Sequence, residues 1–247
     1  MQDAPAPLAI TLQPIGSGAE ALDAVAALGV AGVQFDASDP RMRPRELGES
    51  ARRDLAAALR RRGLVASGID CFVPVERFAD AARVERALEA VQGSVALAES
   101  LGRVPVCVHL PDGDSVVAKE LVREADRRGV ALADFTFPPA TTTLAVGVDP
   151  AAVLEAGGDP AAAVTQAGAR VVAARVVDLL RSGMRGPIGE PGSSRLDAMA
   201  YRLALELAGF RGLPVIDCRQ WTAPVEGARA CVARWLELLP TLGGAIA

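Results

Sequence analysis

Six ionisable or hydrogen-bonding side chains, Asp36, Asp70, His109, Asp134, Arg175 and Asp217, each stand at the end of a short apolar run rich in valine, leucine or isoleucine. Carboxylates, an imidazole and a guanidinium gathered in this way can move protons, hold a divalent cation or grip an oxyanion. Gln34, two positions before Asp36, and Arg219, two positions after Asp217, add polar groups on the same sides of their strands if those strands stay regular. Asp149 follows Leu144 to Val148 in the same manner.

The elements that must position these residues repeat. Before six of the runs an alanine-rich, charged stretch of helical character ends near Gly29, Gly63, Gly102, Gly129, Gly168 or Gly209, each suited to the left-handed residue that closes a helix. Short runs buried on both faces between helices are the mark of parallel β/α units, whose chemistry collects at the carboxyl ends of the strands. Eight strands are predicted, at 8–12, 30–35, 64–69, 104–108, 130–133, 144–148, 170–177 and 213–216. Helices are predicted at about 19–28, 45–62, 78–101, 116–127, from near Ser194, and at 225–239. The connection from Phe135 to Thr143 is too short for a crossover helix and carries Pro138 and Pro139. The expectation is therefore a single-domain α/β protein, a (β/α)8 TIM barrel lacking the helix between strands 5 and 6. The 247 residues match the ~250 of that fold, and 51% hydrophobic residues supply its core.

Composition narrows the function. With 26 basic residues against 30 acidic and a formal net charge of −4, the chain has no electrostatic footprint for nucleic acid. No apolar run reaches the ~20 residues of a membrane span, and the first 13 residues lack a basic, apolar leader pattern. The expected location is cytoplasmic. Cys71, Cys107, Cys218 and Cys231 have no paired spacing and read as reduced, mostly structural thiols, although Cys107 shares a strand face with His109, the single histidine. Lys119, the single lysine, lies in a predicted helix, which argues against a Schiff-base aldolase. Gly16-Ser17-Gly18-Ala19-Glu20-Ala21 with Asp36 approximates a dinucleotide fingerprint, but Pro14 and Ile15 separate it from the strand. A simple loop and helix start is the plainer reading. The amides between Gly189 and Ser194 offer a phosphate site or an ordinary helix cap by Ser194.

Taken in order, Gly32-Val33-Gln34-Phe35-Asp36, Arg43-Pro44, Glu46-Leu47, Gly63-Leu64-Val65-Ala66-Ser67, Val106-Cys107-Val108-His109, Val148-Asp149-Pro150-Ala151, Gly158-Asp159-Pro160, Arg170-Val171-Val172 and Gly209-Phe210-Arg211-Gly212 resemble the xylose isomerase-like sugar phosphate isomerase/epimerase proteins. The resemblance implies one divalent metal at the barrel mouth, held by two glutamates, an aspartate and a histidine, with the glutamates moving a proton through an enediolate. Here it departs from that pattern. Phe135 stands where the first glutamate is expected, Ala152 fills the last position of the aspartate motif, Ala173-Ala174-Arg175 replaces a His-x-His, and Asp217 replaces the second glutamate.

On this basis Asp217 and Asp134 are the candidate proton-transfer residues. Asp149 and Asp217 are the candidate ligands for Mn, Mg or Co, a metal the altered ligand set is able to have lost. Gln34, Asp36, His109, Arg175 and Arg219 are the candidate contacts to a sugar or sugar phosphate. Arg175 opposes a metal by repulsion and suits an oxyanion or phosphate instead. Two functions remain: a sugar isomerase or epimerase, or a noncatalytic carbohydrate-binding relative. An NAD-dependent oxidoreductase is the more distant alternative. Oligomeric state is left open.

Overall fold

Eight parallel strands close into a barrel in a computed structural model that describes residues 5–111, 115–139 and 144–238. The barrel strands are β1 (Ala6–Thr11), β2 (Val30–Asp36), β3 (Val65–Asp70), β4 (Val106–Val108), β5 (Leu132–Asp134), β6 (Val146–Val148), β7 (Val171–Val176) and β10 (Val215–Ile216). Their order around the wall follows the chain, and β1 closes the ring against β10 through Ala9 with Val215 and Ile10 with Ile216. All eight predicted strands are present, within a residue or two at most of their ends.

The helices are α1 (Gly18–Ala27), α2 (Glu49–Arg61), α3 (Glu76–Ala79), α4 (Val84–Ser100), α5 (Val116–Arg127), α6 (Pro150–Glu155), α7 (Pro160–Ala167), α8 (Ala198–Leu207) and α9 (Pro224–Glu237). Gly29, Gly63, Gly102, Gly129, Gly168 and Gly209 all take positive φ, as the helix-ending role requires. The helix expected across 78–101 is broken. Asp80 turns extended and its carboxylate accepts from the Ala82 amide, a local bond that competes with the helix.

The helix expected near Ser194 starts later, because Ser194 turns its hydroxyl to Asp178 and Asp197 caps α8 through the Ala200 amide. Asp149 and Asp159, each followed by proline, cap α6 and α7, two short helices that the apolar pattern did not reveal. Between β7 and α8 lies an unanticipated two-stranded antiparallel ribbon, β8 (Asp178–Leu179) and β9 (Arg185–Gly186). The expected missing helix concerns 135–143, of which 140–143 lie outside the described residues.

Alternation along the strands separates two environments. On β2, Val33 and Phe35 pack outward with Ala21, Leu22 and Val25 of α1, while Gln34 faces inward and bonds to groups on β3, β4 and β7. The upper interior is lined by small residues, Cys107, Ala133 and Ala173, and is filled by the Phe135 ring. Gly147 makes that filling possible: a Cβ there would lie 2.1 Å from Phe135. Among the described residues, no helix is long and apolar enough to cross a membrane.

Candidate functional site

At the carboxyl end of the barrel the side chains assemble around Arg175 of β7, which is only 1% exposed. One terminal nitrogen donates to Gln34 Oε1 at 2.6 Å and the other pairs with Asp70 Oδ1. Gln34 Nε2 donates to the same Asp70 oxygen at 2.6 Å and to Cys107 Sγ at 3.2 Å. The Arg175 guanidinium lies over the Phe135 ring, 5.1 Å from its centroid, and its Nε has no hydrogen-bond partner among the described residues. The aromatic face thus offsets part of the cost of burying the cation.

Asp70 carries the arrangement outward. Its second oxygen lies 3.2 Å from Arg219 Nη1, and Arg219 grips Asp217 bidentately, Nε to Oδ1 at 2.8 Å and Nη2 to Oδ2 at 2.6 Å. Arg219 belongs to the turn after β10, not to the strand, and reaches Asp217 by folding back; its own amide also donates to that carboxylate. Arg185 of β9 stands between the two carboxylates expected to hold a metal, 2.7 Å from Asp149 Oδ2 and 3.8 Å from Asp217 Oδ2. The result is an alternating chain, Arg175, Asp70, Arg219, Asp217, Arg185, Asp149, that starts on β7, passes to β3 and crosses the mouth to the end of β6.

The electrostatics follow from this pairing. Burial works against the Asp217 charge, but the hydrogen bonds from Arg219 and the field of Arg175 outweigh it and hold the carboxyl down at about 2. Burial also opposes the Arg219 and Arg175 charges. Asp217, Asp70 and, for Arg219, Asp36 overcome it and push both guanidinium groups above their ordinary range. Asp70 is pushed up by burial against the pull of the two arginines. His109 is pulled below its usual value, first by burial and then by Arg219, against Asp134 and Asp149, so it is neutral at pH 7.

The expected residues divide accordingly. Gln34, Arg175, Asp217, Arg219 and Asp149 are brought together through direct or shared contacts. Asp36 stands beside Asp70 across the β2–β3 ladder, its Oδ1 held by the Ser38 amide. His109 stacks on Phe72 at 4.8 Å between ring centroids, and Arg219 covers the same Phe72 ring. Asp134, the neighbour of inward-facing Phe135, uses Oδ1 to tie Leu110 and Thr136 of the adjoining loops. It is joined to the chain of charges by no contact among the described residues.

Cys107 meets Gln34, and burial raises its thiol to about 12, which disqualifies it as a nucleophile paired with His109. Cys71, Cys218 and Cys231 are buried free thiols and also raised, to about 11, 11 and 12. Between Gly189 and Ser194, the serine is committed to Asp178. Arg185 and Phe72 were missed by sequence reasoning. The only hint of Arg185 was the Ser182-Gly183 turn that marks its ribbon.

A divalent cation fits this donor set poorly. Asp149 spends Oδ1 on the Ala151 and Ala152 amides and Oδ2 on Arg185, and both oxygens of Asp217 are held by Arg219. Among the described residues no group of three or more His, Cys, Asp or Glu side chains is placed to hold a metal ion. Three guanidinium groups add repulsion at the same place.

No family model and no curated protein sequence matches the chain. Solved structures do match its fold. A xylose isomerase domain protein from Alicyclobacillus acidocaldarius subsp. acidocaldarius is 18% identical, with a TM-score of 0.71 over 94% of this chain and 97% of that one. D-psicose 3-epimerase from Clostridium cellulolyticum H10, solved with D-tagatose, is 13% identical with a TM-score of 0.71, covering 94% and 98%. The IOLI protein, solved with a bound zinc atom, is 15% identical with a TM-score of 0.69, covering 94% and 95%. The chain shares its closed β/α barrel fold with these structures, a xylose isomerase domain protein and a sugar 3-epimerase among them.

Proposed function

We propose that this protein binds a neutral sugar at the barrel mouth without a metal, as a noncatalytic relative of the sugar isomerases and epimerases whose fold it shares. The observation that carries this reading is the alternating chain of three arginines and three aspartates. Each carboxylate able to ligate a metal or abstract a proton along it is engaged by a guanidinium. With its carboxyl near 2, Asp217 is a weak base at neutral pH.

The same groups suit hydroxyl recognition. Arg185, Arg219 and Asp149 keep part of their side chains exposed, and each presents donors or acceptors fixed by its ion pair. Phe72, packed between His109 and Arg219, holds these two groups in place at the mouth. The balanced charges of the chain, with Asp134 as a further acid nearby, favour a neutral sugar over a sugar phosphate.

The test is saturable binding of neutral aldoses and ketoses to chelator-treated protein, followed by chromatography of the same sugars after long incubation with protein and Mn²⁺. Binding without interconversion is expected. Mn²⁺-dependent interconversion of a ketose with its epimer or aldose would overturn the proposal and restore the metal-isomerase expectation with Asp149 and Asp217 as ligands.

A further inference from the structure

A polar cavity of about 440 Å³ opens on the same end of the barrel as the arginine–aspartate chain, between the loop after β1 and the loop after β2. Its polar lining comes from Gln13, Ser17, Asp36, Ser38, Asp39 and Arg41. Its volume lies within the ~300–1,000 Å³ of small-molecule sites.

We propose that this cavity is a second sugar subsite, so that the ligand of the mouth is a disaccharide or other glycoside and not a free monosaccharide. The inference rests on the sugar-binding reading of the mouth and extends it.

Three observations support it. Asp36 links the cavity to the mouth: it lines the cavity, it lies on the same face of β2 as inward-facing Gln34, and it is in register with Asp70, a member of the arginine–aspartate chain. Its charge is also among those that stabilise Arg219 at the mouth. Second, the polar groups of the cavity are held in place. The Ser38 amide fixes Asp36 Oδ1 at 2.7 Å, the Arg41 amide fixes Asp39 Oδ1 at 2.9 Å, and the Arg41 guanidinium donates to Ser17 Oγ.

Third, the chemistry is that of hydroxyl recognition: two carboxylates accept, while a guanidinium and the Gln13 amide donate in planar pairs. Two acids against one cation disfavour a phosphate or pyrophosphate. This sets aside the dinucleotide reading of Gly16 to Ala21 with Asp36, even though both parts of that fingerprint line the cavity.

The experiment is calorimetry with matched neutral pairs, glucose and maltose, galactose and lactose, fructose and sucrose, on the full chain and on Asp39→Asn and Arg41→Ala. Both substitutions lie on the rim, and thermal melts verify that the variants are folded. For the pair that fits, the disaccharide should bind about tenfold more tightly than its monosaccharide. Each variant should remove that advantage and leave monosaccharide affinity unchanged.

Monosaccharide binding with no gain for any disaccharide, or a gain untouched by both variants, would overturn the second subsite alone. No binding of any sugar would overturn it together with the reading of the mouth. Saturable NAD⁺ binding lost in Arg41→Ala would replace it with the dinucleotide site.

Discussion

Asp217 is buried in the barrel mouth, and a buried carboxylate on its own would be driven toward protonation; the fork of Arg219 reverses that and holds it near 2. Its unfolded value is ~3.9, so the lowered folded value contributes about 2–3 kcal/mol of stability that is complete above pH ~4. This contribution is lost as pH falls through about 2. Thermal melts between pH 2 and 5 should therefore show a steeper acid loss for the native protein than for Asp217→Asn. His109 behaves in the opposite sense to a salt-bridged histidine. Because burial lowers its pKa, protonation is resisted by the fold, so its contribution is constant above the unfolded value near 6.5 and turns unfavourable below it. An NMR titration of its ring, the sole imidazole signal, should give a midpoint below 6.5; a midpoint above it would show that Asp134 and Asp149 dominate.

Elements explain why the strand ends were legible while the bonds between them were not. Hydrophobic runs and glycine-ended helices are local signals, and they located the eight barrel strands. Arg185 carries no such signal. It occupies a two-residue strand of a short ribbon and acquires its role by reaching Asp149 and Asp217, 36 and 32 positions away along the chain. Asp149 was read from its motif as a ligand, but the Pro150 after it marks an N-cap, and that local bond takes one of its oxygens. Asp149→Ala should cost ~1 kcal/mol from the cap alone, with a further loss from unpairing Arg185, measurable by urea unfolding. Gly147 of β6 and Phe135, the residue just past β5, form a matched pair that is invisible to periodicity because neither breaks it. Gly147→Ala should destabilise by about 1–3 kcal/mol through overpacking, and Phe135→Leu in the same chain should recover part of that loss.

At the scale of the whole molecule, the barrel closes around a buried ion pair between strands on opposite sides, Arg175 of β7 and Asp70 of β3. Such a pair tolerates joint replacement better than the loss of one member, because a lone buried charge is the costly state. Asp70→Leu alone should destabilise by about 3–5 kcal/mol, while Asp70→Leu with Arg175→Met should recover most of that loss; denaturant unfolding of the two variants decides it. The barrel thus holds a mouth whose cations, the guanidinium groups of Arg175, Arg185 and Arg219, are covalently part of the chain. That claim is tested most directly by calorimetric titration of the chelator-treated protein with Mn²⁺. We expect no stoichiometric heat of binding, because Arg185 and Arg219 already occupy Asp149 and Asp217; one Mn²⁺ bound per chain, and lost in Asp149→Ala, would contradict the account.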